Sequence, residues 1–346
     1  MAIAFTIAIP THDRRETALL ALQSALAQTH PPEQVLVLCD GCGDGTARAA
    51  RELADERIEV LELPKLPGFA YAHRNRALEL ARGEAIMWLG DDDLLLPDHL
   101  ERVAARWQAA AVDVVQAPAV AVGPEDSLTW AGLDWGVPAH AERLARANTN
   151  VMSAVCVRVA AARAAGGWDP GLERAGDWDL WKRVLAGGAR AAMTEEPTVL
   201  HFRASGREQP WAERVAQNSA WSRRIADPGA LAALRPRLRA LRGEREARWL
   251  GELDAASERV AELSRHLRDA GAEIERLSAA GQQRERALLG ELADAAARLE
   301  RADAELERLG EVERTLARVY AGGWWRLRER LLAARRLAAR VRRRGG

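Results

Sequence analysis

The rhythm of apolar and polar positions changes along the 346-residue chain. From residue 1 to about 230, short apolar runs alternate with stretches of helical period, the pattern of stacked β-α units on a mainly parallel sheet. Runs at residues 3–9, 34–39, 58–63, 85–89 and 112–116 predict strands. Helices are expected to start near Asp13, Asp44, Tyr71 and Pro97. Asp13 and Asp44 stand where helix caps belong, Pro97 suits a first helical turn, and Pro31 and Pro32 end the first helix. The fold class expected here is α/β, with a Rossmann-like, mainly parallel sheet.

After about residue 230 the β-rich runs vanish and Ala, Glu, Arg and Leu dominate. Apolar residues recur at Leu253, Val260, Leu263, Leu267, Ala270, Ile274 and Leu277, then from Leu288 and Leu292 through Leu299, Ala302, Leu306 and Leu309 to Leu316 and Val319. The steps of three and four are those of a heptad seam. The seam falters at Gly281 and Arg284, where the spacing resembles a stutter. Helical throughout, residues 250–319 would reach about 105 Å. A lone seam needs a partner helix. A long α-helical coiled-coil tail that makes a homo-oligomer is expected over 231–320, the plainer alternative being an isolated or folded-back charged helix. Residues 321–346 predict a basic amphipathic helix, with nine arginines against Glu329 and with Trp324 and Trp325. That composition suits an anionic membrane surface, and otherwise is a solvated basic end.

Charge and cysteine content narrow the classes. Fifty basic against fifty acidic residues give no net charge, so no nucleic-acid partner is expected. No apolar run is long enough to span a bilayer, and the opening MAIAFTIAIPTHDRRE lacks a basic leader region; a cytoplasmic chain is expected. Cys39, Cys42 and Cys156 make a disulfide framework improbable. Cys39 and Cys42 form a C-x-x-C, which alone reads as a redox pair or half a zinc site.

Three acidic groups follow predicted strands or open helices, at the sheet edge where parallel α/β proteins bind ligands. Asp40 lies in CDGCGDGT, where glycines permit close backbone approach to a ligand. Asp91, Asp92 and Asp93 follow IMWLG, and a divalent cation relieves the repulsion of three adjacent carboxylates. Asp177 and Asp179 lie in RAGDWDLWKRVL, where the plainer reading of either is a helix cap.

Read together, IAIPTHDR, VLVLCDGCGDGT, AHRNRALELARGEAIMWLGDDDLLLPDHL and AAGGWDPGLERAGDWDLWKRVL, ordered over residues 3–205, resemble the inverting family-2 glycosyltransferases of the glycosyltransferase-A (GT-A) fold. The resemblance implies a nucleotide-diphosphate sugar donor, a divalent cation (manganese or magnesium) on its diphosphate, and direct displacement at the anomeric carbon. It implies domains of 1–230 for catalysis, 231–320 for the coiled coil and 321–346 for the basic helix. By similarity Pro10, Thr11, Asp40 and Arg74 bind the donor's base and ribose, and Asp91 contacts the ribose or shares the metal. Asp92 and His201 are the implied metal ligands, His201 having a structural role as its alternative, and Asp93 supports them. Asp177 is the implied catalytic base, with Asp179 as a fallback. Trp168, Trp178 and Trp181 are placed to stack on sugar faces, or to pack in the core. This chain departs from the pattern at Gly176, where an acidic residue is usual, at Gly90, and at Cys39. The tail resembles the ends of some bacterial cell-envelope glycosyltransferases. That implies a glycan or lipid-linked acceptor, with the enzyme peripheral on the inner face of the cytoplasmic membrane. A scaffold with a decayed catalytic domain is the alternative; nucleotidyl transfer is disfavoured because no Gly-rich, basic loop follows Ile9.

Overall fold

The computed structural model describes residues 3–202, 210–279 and 285–319, so the basic segment expected at 321–346 lies outside the described residues. The chain forms two compact units, Met1–Arg245 and Glu246–Gly346.

In the first unit the chain runs β1 (Phe5–Thr11), α1 (Arg15–Leu26), β2 (Gln34–Asp40), α2 (Thr46–Glu52), β3 (Ile58–Leu63), α3 (Tyr71–Leu80) and β4 (Ala85–Trp88). It continues through β5 (Leu94–Leu95), α4 (His99–Ala109), β6 (Val114–Gln116), β7 (Ala119–Val122), β8 (Leu128–Ala131), α5 (Pro138–Leu144), β9 (Val155–Arg158) and α6 (Val159–Ala164). Then come α7 (Gly176–Ala186), β10 (Ala191–Met193), β11 (Val199–Phe202), α8 (Trp211–Ala226) and the start of α9 (Pro228–Ala279).

Seven strands form one sheet in the order β10-β6-β9-β4-β1-β2-β3. It is parallel except at β9, which pairs antiparallel with both β4 and β6. Side chains alternate between its faces as strand geometry requires. Val35, Val37 and Cys39 enter one core cluster with Leu22 of α1, Ala50 of α2 and Val103 of α4. Leu36 and Leu38 enter the other with Leu78 of α3, Ala162 of α6 and Trp181 of α7. Helices therefore cover both faces, and each fully buried aliphatic side chain stabilises the layers by roughly 1.5–3 kcal/mol. A second sheet, β5-β11-β7-β8, packs with Trp221 and Ile225 of α8 and with Leu234, Leu238 and Leu241 of α9. The first unit accordingly runs on to Arg245, whereas the sequence pattern changes near 230.

One cap differs from expectation. Asp13 does not cap α1; its Oδ1 accepts the Gly43 N–H at 2.7 Å, and the first amide of α1, on Arg15, donates instead to Asp44 Oδ2 at 2.8 Å. Asp44 also accepts the Thr46 N–H at the start of α2, so one carboxylate serves two helix starts.

In the second unit, α9 is followed by α10 (Glu285–Val319). Leu263, Leu267 and Ala270 of α9 and Ala295, Leu299, Ala302, Leu306 and Leu309 of α10 are buried within the single chain, and Arg259 Nε lies 3.6 Å from Glu305 Oε1. The 105 Å rod is thereby corrected: an exposed seam on each arm is unstable in water, and the nearest complementary seam is the other arm. Self-association is not needed to bury these residues.

Candidate functional site

The strand order places β4, β1 and β2 side by side: the chain runs outward from β1 through β2 to β3, then returns to lay β4 on the other side of β1. That reversal opens a crevice at the strands' C-terminal ends. In register Thr11 pairs with Cys39 and Ala8 with Trp88, so the loops carrying Arg14, Asp40 and Asp91 to Asp93 leave the sheet together.

Asp40, at the end of β2, is almost fully enclosed. Lys65 Nζ donates to its Oδ2, Leu66 N–H donates to its Oδ1 at 2.8 Å, and His73 Nε2 lies 3.3 Å away. Burial works to raise this carboxyl, but the hydrogen bonds from Lys65 and Leu66 prevail and hold it below the usual carboxylate range. Pro10 and Thr11 close β1 beside it, and the buried Thr11 hydroxyl has no hydrogen-bond partner among the described residues.

Arg74 of α3 is buried at the centre. Its guanidinium lies 4.9 Å from the ring centre of Trp168 and 5.7 Å from that of Tyr71, and its Nε donates to the Phe69 carbonyl at 3.2 Å. Burial lowers its pKa against the charges of Asp177, Asp91 and Asp40, each of which favours its charged form. One buried cation thus feels a carboxylate from each of the three acidic groups.

The aspartate run is pinned by residues distant in sequence. Gly90 N–H donates to Ser153 Oγ at 2.9 Å. Arg14 donates to Asp91 Oδ1 at 3.0 Å and to Asp92 Oδ2 at 3.3 Å. Arg214 of α8 also donates to Asp92 Oδ2, at 2.7 Å, and Asn218 donates to the Asp92 carbonyl at 2.7 Å. Asp93 accepts from Ser153 Oγ and from Phe202 N–H, and His201 Nδ1 lies 2.9 Å from its Oδ1. Burial raises the Asp91 carboxyl, and burial with the charges of Asp93 and Asp91 raises Asp92 to about 6.

This donor set fits a hard divalent cation. The crowded carboxylates supply oxygen ligands whose repulsion a cation relieves, and a carboxylate on one ring nitrogen of His201 is the arrangement that orients a metal-binding histidine. Asp92 and His201 do not, however, belong to a ready group of three. Among the described residues the group whose ligand atoms all lie within 4.8 Å of one another is Asp13, Cys42 and Asp44, between β1 and α2.

Asp177 lies in the first turn of α7, but no side chain caps that helix; Asp177 Oδ2 instead accepts a hydrogen bond from Asn148 Nδ2 at 2.8 Å. Asp179 is held by Arg183, 2.7 Å away, whose guanidinium also donates to the Ala165 and Gly167 carbonyls. The missing acid at Gly176 has a steric reason. A Cβ there would lie 2.5 Å from the Tyr71 ring, and Gly176 N–H donates to Tyr71 Oη at 2.9 Å. Of the tryptophans, Trp168 and Trp181 are fully buried beside Trp88 and pack the core, whereas Trp178 is half-buried with Lys182 over its ring at 4.6 Å.

Sequence reasoning did not single out Arg14, Asn148, Ser153, Arg214 or Asn218. Arg14 sits inside a recognised motif. Arg214 and Asn218 share only an i, i+4 spacing on a polar helix, which carries no signal of its own.

Residues 6–165 match the family model described as "Glycosyl transferase family 2", a span that holds Asp40, Arg74 and Asp91 to Asp93 and ends before Asp177. The chain is 31% identical over 109 residues to succinoglycan biosynthesis protein ExoO of Rhizobium meliloti, covering 32% of this chain and 31% of that protein. It is 33% identical over 96 residues to the UDP-Glc:alpha-D-GlcNAc-diphosphoundecaprenol beta-1,3-glucosyltransferase WfgD of Escherichia coli, covering 28% and 38%. The chain thus spans about a third of the length of the curated relatives it matches. The crystal structure of S. aureus TarS 1-349 in complex with UDP-GlcNAc is similar in fold, with a TM-score of 0.51 at 17% identity over 64% of this chain and 70% of that one.

Proposed function

We propose that the chain is a family-2 glycosyltransferase, as the match of residues 6–165 to that family model supports, and that it transfers a sugar, with inversion, from a nucleotide-diphosphate donor to a hydroxyl of a glycan or lipid-linked acceptor in cell-envelope polysaccharide synthesis. The observation that carries this reading is the burial of Arg74 among the charges of Asp40, Asp91 and Asp177 at the crevice. A site that gathers carboxylates around one cation matches a ligand with a polar base at one end and a reacting anomeric carbon at the other.

Asp40 binds the base of the nucleotide, since a carboxylate kept ionised accepts from a base N–H. Pro10, Thr11, Arg74 and Asp91 line the base and ribose. The TarS structure holds UDP-GlcNAc, which makes a uridine nucleotide the first donor class to try. A divalent cation supplies neutralisation of the charge that the departing nucleoside diphosphate develops, and Asp92 and His201 are the residues that would hold it. Arg14 and Arg214 already face Asp92, and either guanidinium turned from that carboxylate meets the diphosphate as a charge-assisted donor. Asp177 takes the proton of the attacking hydroxyl. Asn148 holds one oxygen of that carboxylate and aims the other. The fallback Asp179 is committed to Arg183 and so is set aside as base.

Residues 321–346 bring the enzyme to an anionic membrane surface where a lipid-linked acceptor lies; no described helix is long and apolar enough to cross a membrane. The test is release of nucleoside diphosphate from a panel of nucleotide sugars with and without manganese. Manganese-dependent release with one donor supports the reading. Binding without release from any donor and acceptor mixture returns the chain to a nucleotide-binding scaffold.

A further inference from the structure

The C-x-x-C at residues 39–42 has no place in the transfer chemistry, yet it brackets the carboxylate assigned to the nucleotide base. Cys39 ends β2 inside the core and is 1% exposed; Cys42 packs against the same cluster but is half-buried, with its Sγ donating to the Thr11 carbonyl at 3.5 Å. Gly41 adopts φ +67° and its N–H donates to both the Cys39 and the Leu63 carbonyls, so the chain turns back at once. The turn sets Cys42 on the carbonyl of Thr11, the residue that pairs with Cys39 across the sheet, so both thiols meet the same core cluster. It also presses on Lys65: a Cβ on Gly41 would lie 2.6 Å from Lys65 Cβ.

We propose that Cys39 and Cys42 form a reversible disulfide that unseats Asp40 and lowers affinity for the nucleotide, a peroxide-responsive modification site set in the donor pocket. The effect on affinity rests on the role of Asp40 proposed above; the disulfide itself does not.

The geometry decides which sulfur reacts first and what moves. Cys42 is the one open to an oxidant, and the hydrogen bond with Cys39, helped by the Asp13 N–H, draws its thiol below the ordinary value despite the nearby Asp44 and Asp13 carboxylates. The same bond, with burial, pushes Cys39 up, so Cys39 waits as the resolving thiol. Cys42 sulfur attacks hydrogen peroxide, giving a sulfenic acid and water. Cys39 sulfur then displaces hydroxide from that sulfur, and the hydroxide leaves as a second water with the Cys39 proton. Two thiols and one peroxide become one disulfide and two waters; each sulfur gives up one electron and the peroxide takes two.

An S–S bond is about 2.05 Å long, far shorter than a hydrogen-bonded contact between thiols. Cys39 is fixed in register between Thr11 and Glu62, so closure must draw in the Gly41–Cys42 side of the turn. The ring so closed contains the backbone of Asp40 and Gly41. Asp40 is then pulled from the Leu66 N–H and from Lys65, on which Gly41 abuts. Cys156, buried on β9 and pushed up by that burial, stays a thiol and serves as an internal control.

The full chain is treated with hydrogen peroxide, blocked with N-ethylmaleimide, and read by peptide mass, by UDP affinity with manganese, and by hydrogen exchange at the Leu66 amide. The expected result is a Cys39–Cys42 disulfide with Cys156 still a thiol, a fall in UDP affinity of about tenfold, faster Leu66 exchange, and recovery of both with dithiothreitol. Cys42→Ser keeps a donor for the Thr11 carbonyl and should bind UDP as the reduced chain does, indifferent to peroxide. Recovery of both Cys39 and Cys42 as thiols after peroxide overturns the proposal. So does a disulfide that leaves Leu66 exchange and UDP affinity unchanged. Should the reduced chain bind no UDP, it is the donor reading that has failed, and the disulfide with the Leu66 amide alone decides this proposal.

Discussion

Asp40 and Asp92 both leave the sheet on loops after parallel strands, both are largely buried, and their carboxyls move in opposite directions. Asp40 has a complete shell of donors in Lys65, Leu66 N–H and His73, and it is held as an anion. Asp92 has two arginines on one oxygen but two carboxylates as chain neighbours, and its carboxyl is raised to about 6. Burial is the largest cause of the rise at Asp92, with the neighbouring carboxylates adding to it, whereas at Asp40 the hydrogen-bond donors outweigh burial. The Asp40 end of the crevice has its donors in place. The Asp92 end is left crowded, with a carboxylate repulsion that two arginines only partly relieve. The contrast predicts that changes at the reacting end cost turnover, that changes around Asp92 are rescued by a cation, and that changes around Asp40 cost affinity alone.

The largest effect is expected at Asp177. Replacing Asp177 with Asn removes the proton acceptor while keeping a side chain of the same shape against Asn148, so turnover should fall about 10²–10⁴-fold. UDP affinity, set at the other end, should stay within about twofold. Calorimetry beside a release assay checks both, and retained turnover would remove Asp177 as the base. Asn148→Ala should give a smaller loss of turnover with UDP affinity unchanged, as a residue that orients the base would.

A group outside the crevice tests whether burial alone shapes these carboxyls. His99 of α4 is fully buried, hydrogen-bonded through Nδ1 to Thr198 Oγ1 at 2.8 Å, and burial lowers its pKa to about 4. The folded chain therefore binds fewer protons than the unfolded chain between about 6.5 and 4. Stability from this group is present in full above pH 6.5 and is lost as pH falls to about 4, roughly 3 kcal/mol in all. Urea midpoints across that window should show this loss, and His99→Gln should flatten it. An unchanged slope would mean that His99 is not what sets it.

Arg214 carries the next effect. Arg214→Ala leaves Asp92 with Arg14 alone and should destabilise the chain by about 2 kcal/mol, as expected for a lost charge-assisted hydrogen bond. Manganese should raise the melting temperature more in this variant than in the wild type, because a cation replaces the missing guanidinium. Equal manganese shifts in the two proteins would break the contrast at its Asp92 end.

The parts of this site legible in the sequence are those written by the sheet. β1, β2, β3 and β4 are apolar runs that stop at polar loops, and Asp40 and Asp91 to Asp93 are found by reading where they stop. β9 was missed because VCVR is four residues long, follows a helical turn, and pairs antiparallel with strands far away in sequence. The second sheet is harder still: β5 has two residues, and β11 meets it across a gap of about a hundred positions. Arg214 reaches Asp92 only because β11 and α8 fold back over the aspartate loop, a relation no local pattern encodes. Trp168 and Trp181 look like sugar platforms in composition; packing with Trp88 in one cluster makes them core. Gly176 reads as a lost acid until Tyr71 is seen in its place. Periodicity reports which face is buried, while these features depend on what lies across the face.

The smallest effect sharpens the Asp40 end. Lys65 donates to Asp40, but its side chain is 45% exposed, and an ion pair with one partner in water contributes about 0–1 kcal/mol. Lys65→Ala should therefore leave the melting temperature within a degree or two, since the Leu66 N–H still holds the carboxylate as an anion. UDP affinity should fall about threefold through loosened placement of the carboxylate proposed to receive the base, and turnover at saturating donor should not change. A Lys65 variant that instead loses turnover while keeping affinity would place Lys65 with the diphosphate, and the division of the crevice into an Asp40 end and an Asp92 end would have to be redrawn through it.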